Sequence, residues 1–339
     1  MKIIFAFWPL YVSYNHGVAL LSALCKARGI EVDLCILGDI RNFAAQLQRE
    51  RPQVVGFSCV TVHDYKLCVP FIRAAKALGY TVLLGGVWAG LGHPVDPAVD
   101  FVCRGDGETL PDFLLNGETQ IFDSPQVCRD IHALPLPDYE LFRDIPFDRG
   151  LPFLAGKKVL PYQSSRGCNG ACTFCQIRHQ PRGVRIRTRV GEDLAWLAST
   201  YKPDVFFIGD AGLPYANTAW KDSWGDFRHP FFAYIRADID AESLEWLIDR
   251  GMNSCAFGVE AGDETYRNQV LRKNLTDAEL WRTVGALERH GVDIVAFFMT
   301  GTPRETPDHQ RKTRDLAAAL PGTCITFRYE NLEDRAWAQ

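Results

Sequence analysis

The chain has 339 residues, 47% of them hydrophobic and 23% charged, with a formal net charge of −4. This composition excludes a disordered, collagen-like or coiled-coil protein and fits about two domains at ~100–200 residues each. No apolar run approaches the ~20 residues that span a bilayer, and the mild negative charge gives no electrostatic case for binding nucleic acid.

Apolar residues at 3–7 predict a buried first strand. Trp8-Pro9 interrupts the amino-terminal apolar stretch, and no clear small-residue cleavage site follows, which argues against a signal peptide. A helix over 17–28 places Val18, Leu21, Leu24 and Cys25 on one face. Strands follow at 31–36, 54–58, 81–84 and 101–103, with helices at 41–50, 66–77 and 110–115. Strand–helix alternation of this kind builds a parallel sheet with right-handed crossovers. Ligands of such sheets sit beyond the carboxyl ends of the strands. Those ends carry Ser58 to Thr61, Gly85 to Trp88, and Gly105 to Glu108. Their small residues either allow a ligand close to the backbone or simply make tight turns. Neither G-x-G-x-x-G nor a P-loop occurs, so a nicotinamide or P-loop nucleotide is not expected.

Residues 130–148 contain Pro135, Pro137 and Pro146 and no helical period, which predicts a stiff interdomain connection. The chain is therefore divided into 1–128, a linker at 129–152, and 153–339. The second part alternates again. Strands are predicted at 159–164, 205–209, 231–236, 254–259, 292–298 and 323–328, and helices at 192–201, 241–249, 277–290 and 307–320. Asp240 and Thr276 are candidate N-caps, and Gly251 and Gly291 candidate stops. Between 210 and 229 the pattern lapses into a segment with Trp220 and Trp224. Six strands amount to three quarters of an eight-stranded βα barrel.

Eleven cysteines are present. Eight lie singly, a scatter unlike a disulfide framework and suited to a reducing, cytoplasmic setting. Cys168, Cys172 and Cys175 instead form Cys-x3-Cys-x2-Cys directly after the first strand of the second part. Three thiolates this close suit one soft metal centre. Structural zinc wants a fourth ligand, for which His179 is nearest. An electron-transfer cluster wants four cysteines, and no other cysteine has motif spacing. A cluster held by three leaves one iron open to a substrate or cofactor.

The motif, with aromatic Phe174 before its last cysteine, resembles the signature of radical S-adenosylmethionine enzymes, whose partial (β/α)6 barrel matches the strand count. The resemblance implies a [4Fe–4S] cluster on Cys168, Cys172 and Cys175. Its open iron would chelate S-adenosylmethionine, to be cleaved after one-electron reduction by an external donor such as a flavodoxin or ferredoxin. Further segments resemble positions that bind S-adenosylmethionine: Phe174, Gly209-Asp210, Arg236 in an R-x-D stretch, Glu260 in a G-x-E motif, Lys273, and Gly301. Asp210 stands where the family has Glu, and Ala261 where it usually has Ser.

The first part resembles the Rossmann-like cobalamin-binding domain that one class of these enzymes carries. Gly85-Gly86-Val87-Trp88, Arg104-Gly105-Asp106-Gly107-Glu108 and Leu134-Pro135-Leu136-Pro137-Asp138-Tyr139 follow its order and spacing. The cobalamin-facing residues implied are Ser58, Thr61, Val62, His63, Gly85, Gly86, Val87, Trp88, Gly105 and Glu108. The Asp-x-His-x-x-Gly motif is absent, so a protein histidine is expected to stay off the cobalt. Cobalamin is expected between the two domains.

The function implied first is methylation of an unactivated carbon through a 5′-deoxyadenosyl radical and methylcobalamin. The alternatives are a cyclisation, ring contraction or rearrangement using the same cofactors, and a non-catalytic iron–sulfur protein. Only 330–339 follow the sixth strand, so the substrate, a small molecule or a peptide, is expected to be closed over by its own bulk or by another subunit. Trp88, Tyr215, Trp220 and Trp224 are expected in loops at the barrel mouth, where they either contact substrate or pack in the core.

Overall fold

The computed structural model describes all residues except 10–13, 117–127, 144, 146–151, 176–182 and 330–339. Pro146, His179 and the tail at 330–339 therefore lie outside the described residues. The chain divides into two compact units, Met1–Gly150 and Leu151–Gln339.

In chain order, the first unit comprises β1 (Lys2–Phe7), α1 (His16–Ala27), β2 (Glu31–Ile36), α2 (Ile40–Glu50), β3 (Val54–Ser58), α3 (Val62–Ala77), β4 (Thr81–Gly85), α4 (Val87–Gly90), β5 (Phe101–Val102) and α5 (Leu110–Asn116). Its strands pair in parallel in the order β2-β1-β3-β4-β5. The strands are near-continuous apolar runs because helices cover both faces. Ile3, Phe5, Phe7 and Val54 meet Val18 and Cys25 of α1 and Leu110 and Phe113 of α5 in one core. The proline-rich stretch predicted as a linker belongs largely to this unit. Asp138 accepts hydrogen bonds from Ser22 Oγ and Lys26 Nζ, both at 2.6 Å. Tyr139 stacks on Tyr14, and Phe142 packs on Phe7.

The second unit comprises β6 (Val159–Tyr162), β7 (Ser165–Arg166), β8 (Arg185–Ile186), α6 (Val190–Tyr201), β9 (Val205–Ile208), α7 (Thr218–Asp222), β10 (Phe231–Tyr234), α8 (Ala241–Asp249), β11 (Met252–Glu260), α9 (Glu264–Gln269), α10 (Asp277–Arg289), β12 (Asp293–Thr300), α11 (Pro307–Ala319) and β13 (Thr323–Arg328). Its six main strands are parallel and strictly sequential, β6-β9-β10-β11-β12-β13, while β7 and β8 form a small antiparallel ribbon. Sequential order with helical crossovers is the topology of a barrel arc, as expected.

One departure from the predicted boundaries affects the first unit's carboxyl edge. Helix α3 starts at Val62, not at 66, because Thr61 and Asp64 form a capping box. Thr61 Oγ1 accepts from the Asp64 amide at 3.1 Å, and Asp64 Oδ2 accepts from the Thr61 amide at 2.9 Å. Beside it, Gly86 has φ 91° and ψ −179°, a region essentially reserved for glycine. The close approach is made by two backbone bonds: Cys59 N–H to Gly85 O (3.0 Å) and Trp88 N–H to Cys59 O (3.1 Å). A Cβ on Gly86 would lie 2.4 Å from that Cys59 oxygen.

Gly86→Ala should therefore lower the unfolding free energy of cofactor-free protein by about 1–3 kcal/mol. Urea titration of the first unit's transition checks this, and an unchanged midpoint would remove the strain argument.

Candidate functional site

The three cysteines lie on one loop without regular structure, reached from β6 through β7. Cys172 is buried, and Cys168 and Cys175 are half-buried. The loop is tied to the α9–α10 connector. The Thr173 amide donates to Leu271 O and its hydroxyl to Val270 O, both at 3.0 Å. Two glycines keep space open beside the sulfurs. A Cβ on Gly170 would sit 3.3 Å from Cys168 Sγ and 3.8 Å from Cys172 Sγ, and one on Gly212 would sit 3.2 Å from Cys168 Sγ. An open cleft of about 760 Å³ is lined by Cys168, Gly170, Gly212, Tyr215, Arg236 and Lys273 among others. Among the described residues no three Cys, His, Asp or Glu side chains converge where a single metal ion could sit. A polynuclear cluster, ligated one thiolate to each iron, does not require that convergence. Three thiols on a glycine-lined loop fit such a cluster.

Glu260 ends β11 just after a register shift, with φ 72°. It is 8% exposed, and its Oε1 lies 2.9 Å from Lys273 Nζ. Gly258 makes room for this pair, since a Cβ there would fall 1.8 Å from Glu260 Oε1. Lys273 Nζ stands 6.0 Å from the centre of the Phe174 ring, which packs against Ala261, Tyr266 and Leu271. Arg236 grips Asp238 through Nε and Nη2 and donates from Nη2 to Lys273 O at 2.8 Å. Phe174, Arg236, Glu260 and Lys273 are thus brought together around the cysteine loop. Gly209 and Gly301 close the carboxyl ends of β9 and β12. Gly209 N–H donates to Tyr162 O, and Gly301 N–H to Glu305 Oε2.

Two expectations are corrected. Asp210 does not present its carboxylate to a ligand: it is 1% exposed, and both oxygens are engaged. Oδ1 accepts from the Ser164 amide (2.8 Å), and Oδ2 accepts from the Ser164 and Ser165 hydroxyls (2.5 and 2.6 Å). The shorter side chain keeps this group at the base of the β6 loop. Burial pushes its pKa up to about 6, against the serine hydrogen bonds, which lower it. Nor do Trp220 and Trp224 face the barrel mouth. Both are buried, packed with Trp246, and Trp220 Nε1 donates to Ser164 Oγ at 2.8 Å. Tyr215 does line the cleft.

In the first unit the three predicted loops lie on the adjacent strands β3, β4 and β5, so the fold gathers them along one edge. The strand order reverses between β1 and β3, the crevice where such sheets hold ligands. Of the three loops only 58–63 borders it. Ser58 Oγ accepts from Asn15 Nδ2 at 3.1 Å. The Thr61 hydroxyl is committed to its helix cap, Val62 is half-buried, and His63 is exposed in the first helical turn. Trp88 is 6% exposed and stacked between His93 (4.1 Å) and Tyr65 (5.5 Å), and its buried Nε1 has no partner among the described residues. Val87 and Glu108 are half-buried, and Gly85, Gly86 and Gly105 supply bare backbone. An orphaned indole N–H beside side-chain-free loops fits a large ligand with polar atoms.

Sequence reasoning missed Ser164, Ser165, Gly170, Gly212 and the pair Arg272 and Asn274. The last two flank Lys273 with φ 51° and 53° and line the cleft. Only Asn274 carried a hint, because asparagine tolerates that conformation.

A cysteine-triad loop on the first strand of a sequential barrel arc, downstream of a doubly wound parallel sheet, defines a two-cofactor α/β enzyme architecture. Residues 162–317 match the radical SAM superfamily, and residues 9–114 match the B12 binding domain. This chain therefore carries a radical SAM domain and an amino-terminal B12-binding domain, and the cofactors of these domains are a [4Fe–4S] cluster, S-adenosylmethionine and cobalamin. It is 23% identical over 162 residues to cytidylyl-2-hydroxyethylphosphonate methyltransferase of Streptomyces wedmorensis, covering 45% of this chain and 30% of that protein. It is 25% identical over 235 residues to anaerobic magnesium-protoporphyrin IX monomethyl ester cyclase of Synechocystis, covering 60% and 46%. The chain thus spans less than half the length of these two relatives. Its fold is similar to that of the radical S-adenosylmethionine methyltransferase TsrM of Kitasatospora setae, with a TM-score of 0.71 over 97% of this chain and 72% of that one, at 16% identity. Among the described residues no helix is long and apolar enough to cross a membrane.

The buried Asp210 carboxyl yields a pH prediction. Its folded pKa lies above the ordinary carboxylate value, so between about 4 and 6 the folded state holds the extra proton and stability falls as pH rises. Asp210→Asn removes this titration. The stability difference, wild type minus variant, should shrink from pH 4 to pH 6 and be flat above 7, as read by denaturant unfolding. A difference independent of pH would mean that Asp210 titrates normally.

Proposed function

We propose that this protein methylates an unactivated carbon of its substrate. The observation that carries the reading is a cobalamin-binding sheet and a three-cysteine barrel in one chain, supported by a methyltransferase among its relatives. When bound, the cluster would supply the electron for reductive cleavage of S-adenosylmethionine, and cobalamin would supply methyl-group carriage. The protein's own part is to bind, orient and exclude water. Cys168, Cys172 and Cys175 hold three irons. Phe174 walls the loop, Glu260 oriented by Lys273 accepts from ribose hydroxyls, and the bare backbone at Gly209 and Gly301 admits the rest of the nucleoside. Ser58, Gly85, Gly86, Gly105 and the Trp88 indole border the cobalamin. The substrate is a small molecule or a peptide, and the electron comes from a low-potential flavodoxin- or ferredoxin-type donor.

A second reading, cyclisation with the same cofactors, is favoured by the likeness to a cyclase.

One experiment separates the two without knowing the substrate. Anaerobically reconstituted protein holding iron and cobalt is given S-adenosylmethionine with a deuterated methyl group and a chemical reductant. Methylation predicts labelled methylcobalamin and S-adenosylhomocysteine, and 5′-deoxyadenosine besides. Bound cobalt that never becomes methylated favours the cyclase reading. In the Cys168→Ala, Cys172→Ala, Cys175→Ala triple variant, cluster absorption and 5′-deoxyadenosine should both vanish. Retention of about four irons would sink the cysteine assignment.

Glu260→Gln should keep the cluster and weaken S-adenosylmethionine binding by roughly 10–150-fold. A charge-assisted hydrogen bond is worth about 1.5–3 kcal/mol, at 1.4 kcal/mol per tenfold. Equilibrium binding measures this, and an unchanged dissociation constant would make Glu260 a partner of Lys273 alone.

A further inference from the structure

Arg236 is the cation best placed to act on the cluster itself. Its Nη1 lies 3.8 Å from the point where a Gly170 Cβ would stand, the same point that is 3.3 Å from Cys168 Sγ and 3.8 Å from Cys172 Sγ. The guanidinium nitrogen is therefore within about 7–8 Å of two of the three thiols, with no side chain on Gly170 between them. Its orientation is fixed from behind. Nε and Nη2 are taken by Asp238, and Nη2 also by the carbonyls of Lys273 and Asn274. Nη1 alone has no partner among the described residues, and it borders the cleft. Arg236 and Asp238 are each about a quarter exposed, so the pair is only partly screened by water.

From this geometry we infer that the Arg236–Asp238 pair sets the reduction potential of the cluster, Arg236 raising it and Asp238 holding it down. Reduction adds one negative charge to the cluster. A fixed guanidinium near two ligating sulfurs, its Nη1 on the side of Gly170, stabilises the reduced state more than the oxidised one. Asp238 is paired with the same guanidinium and lines the same cleft, so its negative charge offsets part of that field. The sequence places the two charges at i and i+2 just after β10, so the carboxylate engages Nε and Nη2 and leaves Nη1 as the nitrogen beside Gly170. The inference rests on the proposed cysteine ligation and adds a role for Arg236 besides S-adenosylmethionine binding.

The test is a redox titration of reconstituted protein, followed by electron paramagnetic resonance of the reduced cluster, with no S-adenosylmethionine present. Iron is counted first in every sample. At the wild-type midpoint, Arg236→Gln should show a reduced-to-oxidised ratio at least tenfold lower, which is 59 mV for a one-electron couple. Asp238→Asn should move the ratio the other way, and Arg236→Lys, which keeps the charge, should stay near wild type. A purely structural pair predicts something different: both neutral variants shift in the same direction or neither shifts. Either of those outcomes, with iron content intact, overturns the inference and leaves the ligation standing. If Arg236→Gln fails to hold iron, a higher reduced fraction in Asp238→Asn with Arg236→Lys near wild type still decides the matter, and no shift in Asp238→Asn overturns the inference. Wild-type protein that takes up no cluster overturns the ligation itself, and this inference with it.

Discussion

The buried guanidinium of Arg267 is the interaction on which the barrel site depends. It is fully excluded from solvent, donating from Nε to Leu275 O (2.9 Å) and from Nη1 to Ala261 O (3.0 Å), and pairing through Nη2 with Asp277 (2.5 Å). Asn268 adds a reciprocal pair of bonds to Leu275. Together they fix residues 270–275 as a rigid connector although that stretch has no regular structure. Everything at the site then hangs from the connector. Thr173 docks the cysteine loop on it, Lys273 reaches from it to Glu260, and its carbonyls brace Arg236. Removing one partner of a buried, hydrogen-bonded charge is costly because the remaining groups are left unpaired. The site is thus built on carbonyl acceptors that carry no sequence signal.

That dependence explains what was legible beforehand and what was not. The strands, their parallel sense and the barrel arc follow from apolar periodicity, so they were readable to within a few residues. The cysteine spacing and the G-x-E stretch were readable because the chemistry restricts those residue types. Asp210 misled because its position in the chain resembled a ligand position, whereas its depth is decided by side-chain length and by Ser164 and Ser165, far away in sequence. Trp220 and Trp224 pack in the core, one of the two readings open to them, and only their placement at the barrel mouth was wrong. A helix as short as α7 (Thr218–Asp222) has too few residues to show a period, and only the fold shows Trp220 hydrogen-bonded to Ser164. The start of α3 was missed because the alternation was followed rather than the Thr61–Asp64 cap, a signal that was in plain view.

The two carboxyl edges use different means to leave room for a ligand. In the first unit the chain packs backbone against backbone, Gly86 against Cys59, with no side chain between the β3 and β4 loops at that contact. In the second unit Gly170 and Gly212 keep sulfur atoms uncovered, and Gly258 keeps a carboxylate seated. Glycine at Gly86 is dictated by the chain's own geometry before any cofactor arrives, so its presence alone is weak evidence of a ligand. At Gly170 and Gly212 the nearest neighbours are thiol sulfurs, and those positions report on the site more directly.

The strand order also governs how the chain can be made. In the first unit the earliest strand, β1, is interior and waits for partners on both sides. In the second, the earliest strand, β6, is an edge, and each later strand is laid against the last. The cysteine loop leaves the ribosome just after β6, while the connector that docks it is specified some distance downstream. At ~5–20 residues per second, Cys175 precedes Leu271 by on the order of 5–20 s. Throughout that interval the three thiols belong to a loop with nothing to hold its shape. The docked arrangement of the three thiols is consequently complete only after the connector has been made.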